Sequence, residues 1–146
     1  MKITCGIPQG SVLGPLFVII YINDIVNVSN ILKPIMFSDD ANLFHAHTHF
    51  HTLIEEVNSE LHNMSIWLNT NKRTLNVKTS NFIIFTPKGN IYNTDNAEII
   101  MNGNKIKQDK FTTFLGIHID EHLSWTIHIK IYPKTVARNL GILNKL

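Results

Sequence analysis

The chain has 146 residues, 44% of them hydrophobic and 16% charged, with one cysteine and a formal net charge of +2. That apolar content excludes a disordered tail, and the lone Cys5 excludes a disulfide framework and a cysteine-based zinc site. The longest apolar run, Val12 to Ile22, is interrupted by Gly14 and Pro15 and is too short to span a bilayer. No signal-peptide pattern follows Met1, so an intracellular protein of nucleus or cytoplasm, neither secreted nor membrane-bound, is expected.

In chain order, residues 6–14 read as a Gly/Pro loop, and Leu16 to Ile22 as a helix with Pro15 in its first turn. Asn23 and Asp24 mark the end of that helix. Two short apolar runs, Ile35–Phe37 and Asn42–Phe44, flank Ser38-Asp39-Asp40-Ala41 and predict a tight hairpin with two acids at its tip. The clearest helix runs from about Leu53 to Leu68, where Ile54, Val57, Leu61, Met64 and Leu68 recur at spacings of three and four. Thr52 followed by Glu55 predicts a capping box at its start. Thr74–Val77 and Phe82–Phe85 read as strands, and residues 87–90 as a turn. A further hairpin is expected around Asn102-Gly103, between Ile99–Met101 and Lys105–Ile106. Phe111 to Asp120 predicts either a strand pair or one strand bent at Gly116. The last segment, Ile127 to Leu146, has helical spacing interrupted by Pro133. Hairpins with one long packing helix make the expected class α+β.

Asp39 and Asp40 carry the strongest chemical signal. Polymerases that transfer phosphoryl groups hold carboxylates rigidly at one point, where they bind paired divalent cations. Aspartate is also common in turns for local hydrogen bonding, so the dipeptide by itself is a weak pointer. His45, His47, His49 and His51 alternate and, on an extended strand, would share a face able to meet Zn²⁺. The plainer expectation there is a polar loop leading into the long helix. Lys72 and Arg73, and the cluster Lys105, Lys107 and Lys110, are candidate phosphate contacts or simply a solvated face.

Five segments in order resemble the reverse transcriptases of non-LTR retrotransposons. GIPQGSVLGPLFVIIYINDI (residues 6–25) is similar to that family's loop-and-helix block, and MFSDDANLF (36–44) to its catalytic hairpin. The stretch from Leu53 through TLNVKTSNFIIF (74–85) resembles the next helix-and-strand block. FTTFLGIHIDEHLSW (111–125) resembles the primer grip, and HIK with GILNKL the start of the thumb. The resemblance implies a partial palm-like antiparallel sheet packed on helices over residues 1–120, and a connection to the thumb over 121–146. It implies RNA-directed DNA synthesis with an RNA template, a DNA primer, a deoxynucleoside triphosphate and Mg²⁺ or Mn²⁺. Asp39 would be the main metal ligand and Asp40 its neighbour. Gln9, Gly10 and Ser11 would lie beneath the template base and incoming nucleotide, and Phe114, Leu115 and Gly116 would hold the primer terminus.

The sequence also departs from that pattern. The family's palm supplies another essential aspartate from a strand upstream of the Gln9 loop, so the metal site is expected to be incomplete and the chain inactive alone. Where the family places a lysine three residues after the position of Asn76, this chain has Thr79, which is a poor general acid at neutral pH. The other expectations are a non-catalytic nucleic-acid-binding remnant, or a decayed element without function.

Overall fold

The computed structural model of the protein describes residues 10–37, 40–89 and 93–133. They form two compact units, the first made of the described residues up to Leu75 together with Ile100–Asn104, the second of the rest. Helices and small two-stranded sheets combine in an α+β arrangement.

The first unit opens with helix α1, Gly14–Ile22, which has proline in its first turn as expected. It ends at Asn23 and continues as a 3-10 turn, Asn23–Asn27. Buried Ser29 then bends the chain, its Oγ accepting the N–H of Ile31 at 3.2 Å and of Leu32 at 2.8 Å. Strands β1, Lys33–Phe37, and β2, Asp40–Phe44, follow as an antiparallel hairpin in the register Phe37↔Asp40 through Lys33↔Phe44.

Helix α2 spans Phe50–Thr70, three residues longer at its start than the periodicity of the stripe suggests. The expected capping box is absent, because Thr52 and Glu55 lie inside the helix and His49 is the N-cap, making no side-chain cap bond. Half-buried Phe50, four residues before Ile54, extends the apolar stripe back by one turn and draws the helix with it. Glu55 instead meets His51 at 3.2 Å, one turn earlier in sequence. At the other end the chain closes in a Schellman motif. Arg73 N–H donates to Leu68 O at 2.8 Å and Lys72 N–H to Asn69 O at 3.0 Å, with Lys72 at φ +54 in the place usually given to glycine.

Ile25, Leu32, Leu61, Met64 and Met101 are the buried apolar side chains of this unit. Each contributes about 1.5–3 kcal/mol when fully removed from water. Met101 arrives on β4, Ile100–Met101, which lies along α2, where Ile100 N–H donates to Asn58 Oδ1 at 2.8 Å. Strand β4 pairs with β5, Asn104–Lys105, around Asn102 and Gly103 at φ +51 and +72. Two successive positive φ angles define the type I′ turn that Asn-Gly favours, which is the hairpin expected from the sequence.

In the second unit, β3, Asn81–Phe82, pairs in parallel with β6, Lys107–Gln108. Strand β7, Phe111–Phe114, pairs antiparallel with β8, Ile117–Asp120. Leu115 and Gly116 connect them at φ +48 and +81, so the stretch is a strand pair and not one bent strand. Ala97, Ile99 and Ile106 are buried, and Ile106 N–H donates to Ile99 O at 2.8 Å. Residues 126–133 are helical, Pro133 included.

The expectation of a strand at Thr74–Val77 is wrong. The amides of Thr79 and Ser80 and both their hydroxyls converge on the carbonyl of Asn76 at 3.1–3.2 Å, which curls the chain into a turn. Of Phe82–Phe85, Phe82 alone joins a ladder, and the next tie is Thr86 N–H to Glu121 O at 2.9 Å.

Candidate metal and primer-binding sites

Of the acidic pair, Asp40 is described and Asp39 lies outside the described residues. Asp40 opens β2, exposed to solvent, with Phe37 as its cross-strand partner, so the register leaves Ser38 and Asp39 between the two strands. The apolar strand residues on either side place Asp40 there, since they commit both arms to pairing within a few residues. Among the described residues no three His, Cys, Asp or Glu side chains gather as a metal-binding group.

Gln9 also falls outside the described residues. Gly10 has φ +86, and a Cβ built there would meet nothing within 4 Å. Glycine is therefore required at this point by backbone conformation, not by crowding from the chain itself. Ser11 O accepts the N–H of Gly14 at 3.0 Å, which turns the chain into α1.

Phe114, Leu115 and Gly116 come together at one hairpin tip. Leu115 is 56% exposed in the left-handed region, which rules it out as a core strand residue, while Phe114 is half-buried. Behind this tip, Thr113 and His118 form a cross-strand pair with Thr113 Oγ1 2.8 Å from His118 Nδ1.

The histidine run does not stay extended. His49, still extended, is the N-cap of α2 and His51 is inside the helix, so the four histidines do not share one extended face. His45 Nε2 lies 2.7 Å from Glu56 Oε2, and His47 Nδ1 accepts the N–H of His49 at 3.0 Å. These residues secure the start of the helix.

The lysine cluster is largely matched by acids. Lys105 Nζ donates to Glu98 Oε1 at 2.7 Å, and Lys107 is paired with Asp109. The hydrogen bond from Lys105 holds the Glu98 carboxyl below its usual range, and that from Lys107, then that from Asn81, does the same for Asp109. Exposed pairs of this kind add little stability and reduce the positive field offered to a phosphate. Arg73 lies over the Tyr21 ring, 5.0 Å from its centroid. Thr79 donates its hydroxyl to Asn76 O, and Lys78 beside it is exposed.

Two arrangements were not singled out from the sequence, although both include residues of the 111–125 block. At the end of β8, Asp120 accepts from Ser124 Oγ at 2.6 Å, Ser124 N–H at 2.9 Å and His122 N–H at 3.0 Å. These bonds, the Ser124 hydroxyl first, hold its carboxyl below the ordinary range. The stabilisation they bring is present above the unfolded carboxylate pKa of about 4 and is lost as pH falls through the lower folded value. The second is a group of rings, Trp125, His128, Tyr132 and His118. The spacing of three and four between Trp125, His128 and Tyr132 was its one visible signal.

No helix of the described residues is long and apolar enough to cross a membrane. Comparison with known protein families, with curated proteins and with solved structures finds no match to this chain.

Proposed function

We propose that this chain is part of a reverse transcriptase of the non-LTR retrotransposon type, contributing the acidic hairpin of the palm and the primer grip to RNA-directed DNA synthesis. The single observation that carries the reading is the β1–β2 hairpin. Its register puts Asp40 at the first position of β2 and leaves only Ser38 and Asp39 between the strands, in a segment whose sequence resembles the family's catalytic block. The second hairpin, with Leu115 and Gly116 at its turn, supports it as a surface for a primer end.

The reaction is attack of a primer 3′-hydroxyl on the α-phosphate of a deoxynucleoside triphosphate, with pyrophosphate leaving. Carboxylates such as the exposed Asp40 suit Mg²⁺ or Mn²⁺, which prefer oxygen ligands and retain water. Asp39 and Asp40 would hold such ions, which when bound acidify the hydroxyl and neutralise the departing charge. The palm-like sheet, the RNA template and the DNA primer belong to the same proposal.

Mn²⁺ added to isotope-labelled protein is expected to broaden amide signals around Phe37 and Asp40 first, and to lose that focus in Asp39→Ala. In a fusion carrying the family's upstream block, primer extension on RNA is expected to require Mg²⁺ and to fall at least about 100-fold in Asp39→Ala. Diffuse broadening, or extension indifferent to Asp39→Ala, overturns the reading. Salt-sensitive RNA binding without any such dependence would point instead to a binding module that does no catalysis.

A further inference from the structure

The rings of the second unit converge on His128. Its centroid lies 5.4 Å from that of Tyr132, 5.9 Å from His118 and 6.0 Å from Trp125, with interplanar angles of 33°, 47° and 75°. His128 is held from behind, because its Nδ1 accepts the backbone N–H of His118 at 3.3 Å. His118 is in turn held by Thr113 across the β7–β8 pair. That rung is the one next to Phe114↔Ile117, the pair that closes the Leu115–Gly116 turn.

The outer members of the group are open to solvent. Trp125 is 55% exposed and Tyr132 59% exposed, although large aromatic side chains gain most from burial. Trp125 also has φ +58, a conformation that is an outlier for a bulky residue and costs on the order of 1–3 kcal/mol. Strain of that kind persists where the surroundings demand it, and here it accompanies the contact between Trp125 and His128. Lys130, exposed on the same helical stretch, supplies positive charge.

We propose that Trp125, His128 and Tyr132, braced by His118, form a stacking platform for an unpaired nucleobase of single-stranded nucleic acid beside the Leu115–Gly116 turn. The inference rests on the nucleic-acid reading above and adds a base-binding site to it. Exposed aromatic rings at the start of a short helix and along it are what sequence-tolerant strand binding uses, because every base offers a π-face.

The full chain carrying Trp67→Phe leaves Trp125 as its one tryptophan and its own reporter. It would be titrated with a short single-stranded DNA and with the same backbone bearing abasic sites. The base-containing strand is expected to quench Trp125 emission, and the abasic strand to bind about 5- to 150-fold more weakly. Tyr132→Leu should reproduce that loss, while Tyr132→Phe, which keeps the ring, should retain affinity. Equal binding of both strands with unmoved Trp125 emission overturns the platform and leaves the nucleic-acid reading standing. Binding of neither strand overturns both. The abasic comparison is repeated by a label-free binding assay on the unsubstituted chain, so poor folding of a variant cannot hide either result.

Discussion

Helices α1 and α2 carry their apolar residues in opposite arrangements. α1 is apolar around its whole circumference apart from Gly14 and Pro15, yet none of its residues is buried. Leu16, Phe17, Ile19 and Ile20 are each about half exposed or more. α2 is far more polar, yet it buries Leu61, Met64 and Ser65 on one side, with the Ser65 hydroxyl donating to Leu61 O at 2.7 Å. Hydrophobicity alone does not bury a helix. A stripe on one face specifies an orientation that can be packed once and completely, whereas a uniformly apolar surface specifies none. What ties α1 down is instead Tyr21, whose hydroxyl donates to Asn71 O and whose ring lies under Arg73, at the far end of α2.

That contrast can be broken by substitution. Met64→Ala empties a position that is 3% exposed and is expected to cost about 2–5 kcal/mol in chemical denaturation. It should be followed by Trp67 emission in a chain carrying Trp125→Phe. A loss below about 1 kcal/mol would mean that α2 is not the organising helix of its unit. Tyr21→Leu keeps the apolar volume while removing a hydrogen bond and a cation–π contact, and is expected to cost about 0.5–1.5 kcal/mol. No loss in the same titration would leave α1 untethered by the contacts described. Ile19→Gln, on a residue 60% exposed, is expected to change stability by no more than about 0.5 kcal/mol while raising solubility. A larger loss would show that the α1 surface is covered in solution, contrary to its exposure here.

The exposed apolar surface continues onto the acidic hairpin, where Ile35, Phe37 and Phe44 are exposed. Such a face beside unpaired strand edges favours association, and it is a practical concern for any assay of Asp39 or Asp40 in this chain.

The features legible in the sequence were local ones. Asn102-Gly103 could be read as a turn because positive φ at both positions is a property of those residues and not of their neighbours. The β1–β2 hairpin and the stripe of α2 were readable for the same reason, each being encoded within a few residues or turns. The placement of Asp40, Phe114, Leu115 and Gly116 at two hairpins followed from that local pattern.

Side-chain hydrogen bonds and pairings that no turn residue announces decided the rest. Thr74–Val77 has strand composition, but Asn76 O collects the donors of Thr79 and Ser80. The parallel pairing of Asn81–Phe82 with Lys107–Gln108 joins segments 26 residues apart, a register that no turn residue announces. The matching of Lys105 with Glu98 and of Lys107 with Asp109 turned a basic cluster into ion pairs. The bracing of His128 by His118 required β8 and the 126–133 helix to meet. Composition and spacing determine which short elements can form, since backbone preference acts over a few residues. Which of them pair, and which side chains they neutralise or leave open, is settled only in the folded chain, where backbone groups and side chains compete for the same partners.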